Sequence, residues 1–164
     1  MTRTLTLITA SQRLGFALPA AGAVPSAFAM AQTATPGVVA LTPLEMKWSS
    51  QGGFAAPGME QLNLIGDPAK PGPYTLRLKF PKGLRIVPHT HPDSREVTIL
   101  SGTFATGYGE KFDAGNLKVL PAGSFYTEPA NLPHYIEIKD ETILQVSGTG
   151  PSERRFINPP GSPK

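Results

Sequence analysis

The sequence predicts an all-β sandwich or barrel, on three observations. Short apolar runs recur at a period of two residues, as in "YTLRLKF" at 74–80, where Tyr, Leu, Leu and Phe alternate with Thr, Arg and Lys. Turn formers punctuate these runs, with 17 glycines and 18 prolines among 164 residues. No window of about ten residues or more keeps a helical period.

Taken in order, the chain opens with a segment unlike the rest. Residues 1–31 carry Arg3 and Arg13, no acid, an Ala-rich apolar run from Leu14, and small residues in "AFAMAQ". That pattern predicts a secretory signal peptide removed after Ala29 or Ala31, and hence a secreted or periplasmic protein. Pro19 and Pro25 interrupt the run, which argues against a membrane anchor. Residues 32–43 form a lead-in with a short strand expected at 38–41, residues 44–157 the β domain, and residues 158–164, "NPPGSPK", a flexible tail.

Within the domain, "LEMKWSS", "MEQLNLIG", "YTLRLKF", "REVTILSG", "GTFATGY", "NLKVL", "SFYTE", "PHYIEIKD" and "ETILQVSG" read as strands. The turns "FPKG", "LPAG", "EPANLP" and "KDET" divide them. In "REVTILSG" the alternation sets Val97 and Ile99 on one face and Glu96, Thr98 and Leu100 on the other.

Charge and composition exclude several classes. The chain holds 15 basic and 12 acidic side chains, but Arg3 and Arg13 leave with the leader, so the mature protein is close to neutral. It has no Lys/Arg cluster, which speaks against nucleic acid or, after signal removal, a membrane surface as partner. With no cysteine, thiolates are absent from any set of ligands or nucleophiles, and no disulfide staples the fold.

The three histidines are unevenly placed. His89 and His91 stand at i and i+2 in "VPHTHPDSRE", so in an extended segment both imidazoles face one side. Pro88 and Pro92 bias their predecessors toward that geometry. Glu96 follows after "PDSR", close enough to return a carboxylate to the same pocket. His134, in "NLPHYIEIKD", shares a face with Ile136 and Ile138 and so points inward. Neutral imidazoles with a carboxylate suit a divalent first-row metal when thiolates are absent.

These residues resemble the two motifs of the cupins. In the first, Gly83 is followed by five residues, His89-Thr90-His91, four residues, Glu96, and then Gly102, one residue early. In the second, Gly123 is followed by five residues, Pro129-Ala130-Asn131, two residues, His134, and then Ile138 where the family has Asn. Asn131 stands where the motif has glycine, a mild change because Asn tolerates the left-handed turn. The resemblance implies a single jelly-roll barrel and a metal cage of His89, His91, Glu96 and His134. It also implies one divalent transition metal (iron, manganese, copper, nickel or zinc) and a homodimer pairing through the N-terminal segment.

Glu128 adjoins the second motif and is expected as a rim acid or base. Tyr126, Tyr108, Arg77 and Lys79 are read as surface or rim positions. The full ligand set that the resemblance implies favours an enzyme over a bare binding module, and the first expectation is an oxygenase-type enzyme acting on a small organic molecule outside the cytoplasm. The alternatives are a redox-neutral metal-dependent isomerase, decarboxylase or lyase, and a non-catalytic module binding a metal or small ligand.

Overall fold

The computed structural model describes residues 37–51, 54 and 56–158, so the predicted signal peptide and most of the predicted tail lie outside the described residues. Ten strands form two antiparallel five-stranded sheets. They are β1 (Glu60–Ile65), β2 (Gly72–Phe80), β3 (Arg85–Thr90), β4 (Arg95–Ser101), β5 (Thr103–Tyr108), β6 (Lys118–Pro121), β7 (Phe125–Glu128), β8 (His134–Ile138), β9 (Thr142–Gly150) and β10 (Arg155–Phe156). One sheet runs β1-β2-β9-β4-β7 and the other β10-β3-β8-β5-β6. Most neighbours in a sheet are non-consecutive in sequence, the pattern of a jelly roll.

The alternation read from the sequence sets the burial. Along β2, Tyr74, Leu76, Leu78 and Phe80 are buried while their neighbours are not. Val97 and Ile99 of β4 and Leu144 and Val146 of β9 do the same, and β4 pairs with β9 so that Val97 lies opposite Val146. Phe104 of β5 and Ile136 and Ile138 of β8 complete the apolar interior from the second sheet. Each such side chain contributes about 1.5–3 kcal/mol on burial.

Two expected strands did not form. Residues 38–41 are irregular, and a 3-10 turn (Pro43–Glu45) follows them. Val38, Val39, Leu41 and Leu44 are exposed there, so no apolar face is buried to hold a strand. Of "LEMKWSS" only Ser49 pairs, in an isolated bridge with Gln61. Conversely β10 has no alternating pattern to announce it. It exists because Arg155 and Phe156 pair with Thr90 and His89 along β3.

A bulge in β3 decides which way the first histidine faces. Register against β8 shifts between Ile86 and His89. Ile86 and His89 are an odd number of residues apart, so a regular strand would send them to opposite faces. With the extra residue absorbed, both are buried at 4% and 2% exposure.

The second motif's turn is built as its residues suggest. Asn131 adopts φ 59°, and its amide donates to the His91 carbonyl at 2.7 Å, tying the two histidine-bearing segments together. Gly102 closes the β4–β5 turn at φ 80°, where a Cβ would stand 2.1 Å from the Glu141 carbonyl oxygen. Gly102→Ala is therefore expected to destabilise the fold by about 2 kcal/mol or more, because backbone must move. Urea denaturation against wild type measures this.

Candidate metal centre

The bulged β3 presents His89, the residue just beyond it presents His91, and β8 presents His134 directly opposite His89. All three are buried, at 1–3% exposure. Ring centroids lie 4.3 Å apart for His89 and His134, 5.0 Å for His89 and His91, and 5.3 Å for His91 and His134. Each ring offers one nitrogen within 4.8 Å of the other two.

The protonation pattern follows from the backbone. Nδ1 of His89 lies 2.8 Å from the Val87 carbonyl, Nδ1 of His91 2.6 Å from the Glu153 carbonyl, and Nδ1 of His134 3.1 Å from the Leu132 carbonyl. A carbonyl only accepts, so each Nδ1 carries a proton, and in a neutral ring that leaves the lone pair on Nε2. That is the arrangement in which metal-binding imidazoles are held. Burial, reinforced by the neighbouring His134, pulls His89 down to about 3, and burial with Arg95 pulls His91 down to about 2, so both are neutral.

The expected carboxylate ligand is not where the spacing placed it. Glu96 is exposed and points out of the barrel. Val97 and Ile99 are buried at 1% and 0%, so strand parity turns Arg95 inward and Glu96 outward. Arg95, separated from His91 by three residues where Glu96 is separated by four, occupies the inward position at 3% exposure. Glu96 instead lies in an outer row with Thr127 and Ser147, beside a groove of about 500 Å³. That groove is the roomier one, yet it lies on the far side of the sheet from the imidazoles.

The carboxylate that faces the histidines is Glu128, buried rather than at the rim. Its Oε1 is 3.4 Å from His134 Nε2 and its Oε2 is 3.9 Å from His91 Nε2. β4 and β7 pair so that Arg95 lies directly opposite Glu128, and Arg95 Nε is 3.1 Å from Oε2. The Tyr126 hydroxyl donates to Oε1 at 2.8 Å, which makes Tyr126 an interior residue as well. Burial alone would raise the Glu128 carboxyl, but the Arg95 guanidinium beside Oε2 outweighs it and holds it well below the usual carboxylate range. Tyr126 is pushed well above its ordinary value by burial and then by Glu128, so it stays a donor.

Other expected residues stay outside. Arg77 reaches Gln145 and Met46 on the outer face of β2, and Lys79 pairs with Glu60. Tyr108 is half exposed, its hydroxyl donating to the Thr127 carbonyl. Two interior residues had no expected role. Phe54 is 2% exposed, sets its edge against His91 at 5.7 Å, and carries the Arg95 guanidinium over its face. Arg154 lines the same interior with His89, His91, Arg95 and Glu128, leaving a cavity of about 20 Å³, room for roughly one water molecule.

Whether a metal suits these residues is answered by their unmet bonds. His134 Nε2 and Glu128 Oε2 are buried and find no hydrogen-bond partner among the described residues. His134 Nε2 with the two neutral imidazoles makes a three-nitrogen donor set for one divalent cation, and Glu128 Oε2 stands beside it as a counter-charge. The three histidines can hold a metal ion, with Glu128 at its side.

Comparison with known proteins agrees with this architecture. The profile of the ChrR cupin-like domain matches residues 37–153. A search of curated proteins finds no match. The polyketide cyclase RemF from Streptomyces resistomycificus aligns with a TM-score of 0.59 at 16% identity, covering 71% of this chain and 83% of that one. An RmlC-like cupin from Shewanella frigidimarina gives 0.52 at 19% identity, covering 66% and 87%. A salicylate 1,2-dioxygenase from Pseudaminobacter salicylatoxidans gives 0.52 at 14% identity, covering 65% and 32%. At these identities the likeness is one of fold.

Two outcomes are expected. Glu96→Gln leaves divalent-metal affinity within about twofold of wild type, while Glu128→Gln lowers it about 10- to 100-fold, as loss of an outer partner does; equilibrium dialysis with cobalt measures both. For the metal-free protein, His89 and His91 bind protons more readily unfolded, near 6.5, than folded, near 3 and 2. Their contribution is present above about pH 6.5 and is lost as pH falls toward 3, with a slope of about 1.4 kcal/mol per pH unit for each. Chemical denaturation from pH 7 to 4 shows that slope, and His89→Gln reduces it.

Proposed function

This chain belongs to the ChrR cupin-like family, and we propose that it is a metal-dependent enzyme of the oxygenase type acting on a small organic molecule. The observation that carries this reading is the set of three buried imidazoles, each held at Nδ1 by a backbone carbonyl and each offering a nitrogen within 4.8 Å of the other two. Three protein ligands satisfy only part of the coordination that iron, manganese or copper takes, and none of the three cancels the ion's charge. When bound, such an ion supplies exchange of electrons with dioxygen and polarisation of a chelating substrate.

The protein's own residues prepare that chemistry. His89 and His91 are neutral before any ion arrives, so binding costs no proton release at either ring. Glu128 is kept ionised, with Tyr126 fixing one oxygen and Arg95 facing the other. A carboxylate held this low is a weak base, so Glu128 serves to orient a donor and to balance charge rather than to carry a proton. Phe54 and the surrounding apolar side chains keep bulk water away from the imidazoles. The leader predicted over residues 1–31 supports a place outside the cytoplasm, and the exposed Val38, Val39 and Leu44 support pairing of two copies through the N-terminal segment.

One observation favours a second reading. An interior cavity of about 20 Å³ is too small to enclose a whole substrate, which fits a non-catalytic module that keeps its metal enclosed. The protein loaded in turn with iron, copper, manganese and zinc distinguishes the two. Oxygen uptake with a small organic acid, phenol, diketone or sugar is expected for the iron or copper form and is lost in His134→Ala. Tight metal binding without turnover on any of these overturns the enzyme reading. Turnover without oxygen uptake moves it to an isomerase or decarboxylase.

A further inference from the structure

The segment after β9 does more than close the sheet. Glu153 holds His91 through its carbonyl, and Arg155 turns outward to pair with the Glu153 carboxylate. Strand alternation therefore sends the intervening Arg154 the other way, so that, partly buried, it lines the cavity with His89, His91, Arg95 and Glu128. Its Nε is buried and has no hydrogen-bond partner among the described residues, and the same holds for Arg95 Nε, which stands near Glu128 Oε2 without hydrogen-bond alignment.

The charges in this interior do not cancel. Two guanidinium groups face the cavity against one carboxylate, and that carboxylate already accepts from Tyr126. A guanidinium does not shed its proton at neutral pH, so the interior carries an uncompensated positive charge even before a metal adds its own. Water could meet the donors' geometry but not their charge. A guanidinium nitrogen buried without a hydrogen-bond partner is costly and is retained where something negative meets it.

We propose that Arg154, with Arg95, forms an anion-recognition subsite that selects a carboxylate or enolate oxygen for the metal centre. Arg154 is thus a specificity-determining residue, supplied by the C-terminal segment rather than by either histidine motif. A cavity of about 20 Å³ takes one charged oxygen at a time, so the anionic end of a substrate enters while its remainder stays toward the mouth. The purpose of the subsite rests on the metal-centre reading above, but its existence does not.

Sodium formate and its neutral counterpart formamide are the probes, at constant ionic strength. Binding is followed by the visible spectrum of the cobalt-loaded full chain and by the melting temperature of the metal-free chain. Formate is expected to raise the melting temperature of the metal-free protein where formamide does not. Arg154→Gln is expected to weaken formate about 10- to 100-fold with cobalt affinity unchanged, as loss of a charge-assisted pair predicts. Arg154→Lys keeps the charge and keeps the preference for formate, which also serves should the glutamine variant not fold. Equal binding of formate and formamide, or formate affinity within twofold of wild type in Arg154→Gln, overturns the subsite. Formate discrimination in a protein that fails to take up cobalt leaves the subsite standing and overturns the metal reading instead.

Discussion

Three backbone carbonyls decide what the interior of this barrel can do. An imidazole free to turn would present either nitrogen, and a buried one without a partner would be costly. The carbonyls of Val87, Glu153 and Leu132 each take the Nδ1 proton, and the rings are left with a lone pair facing inward. The readiness of the centre for a cation depends on those contacts. The β3 bulge is their precondition, because it lets the strand bury Ile86 and still deliver His89 to the same side.

Around that frame the protein balances charge across one pair of strands. Arg95 and Glu128 face each other across β4 and β7, both almost fully buried, in surroundings where an isolated charge would be poorly tolerated. The pair keeps Glu128 ionised, Tyr126 fixes its orientation, and Phe54 covers the guanidinium. A cross-strand cation thus occupies the inward position that the spacing assigned to a carboxylate, and the carboxylate has moved one strand over.

Much of this was legible in the residues. The period-two runs located most strands, and the inward face of β8 followed from His134 sharing it with Ile136 and Ile138. The alternation in "REVTILSG" already set Glu96 apart from Val97 and Ile99, so strand parity was the better guide and motif spacing the worse one. Glu128 could be seen as an acid near the site but not as facing it, because that depends on pairing with β4. Arg154 gave no local signal at all. Its place depends on β10 docking against β3, a contact between segments far apart in sequence that no pattern within either one records.

The Glu153 carbonyl reaches His91 from 62 residues further along the chain. Until the end of the chain folds back, that ring can spin, and the His89–His91 step alone is a loose pair of ligands. Capture of an ion is thereby coupled to closure of a loop that spans about half of the domain, at the entropic cost such long closures carry. The centre matures with the completed chain, and a nascent or clipped form would hold its histidines without the grip to use them.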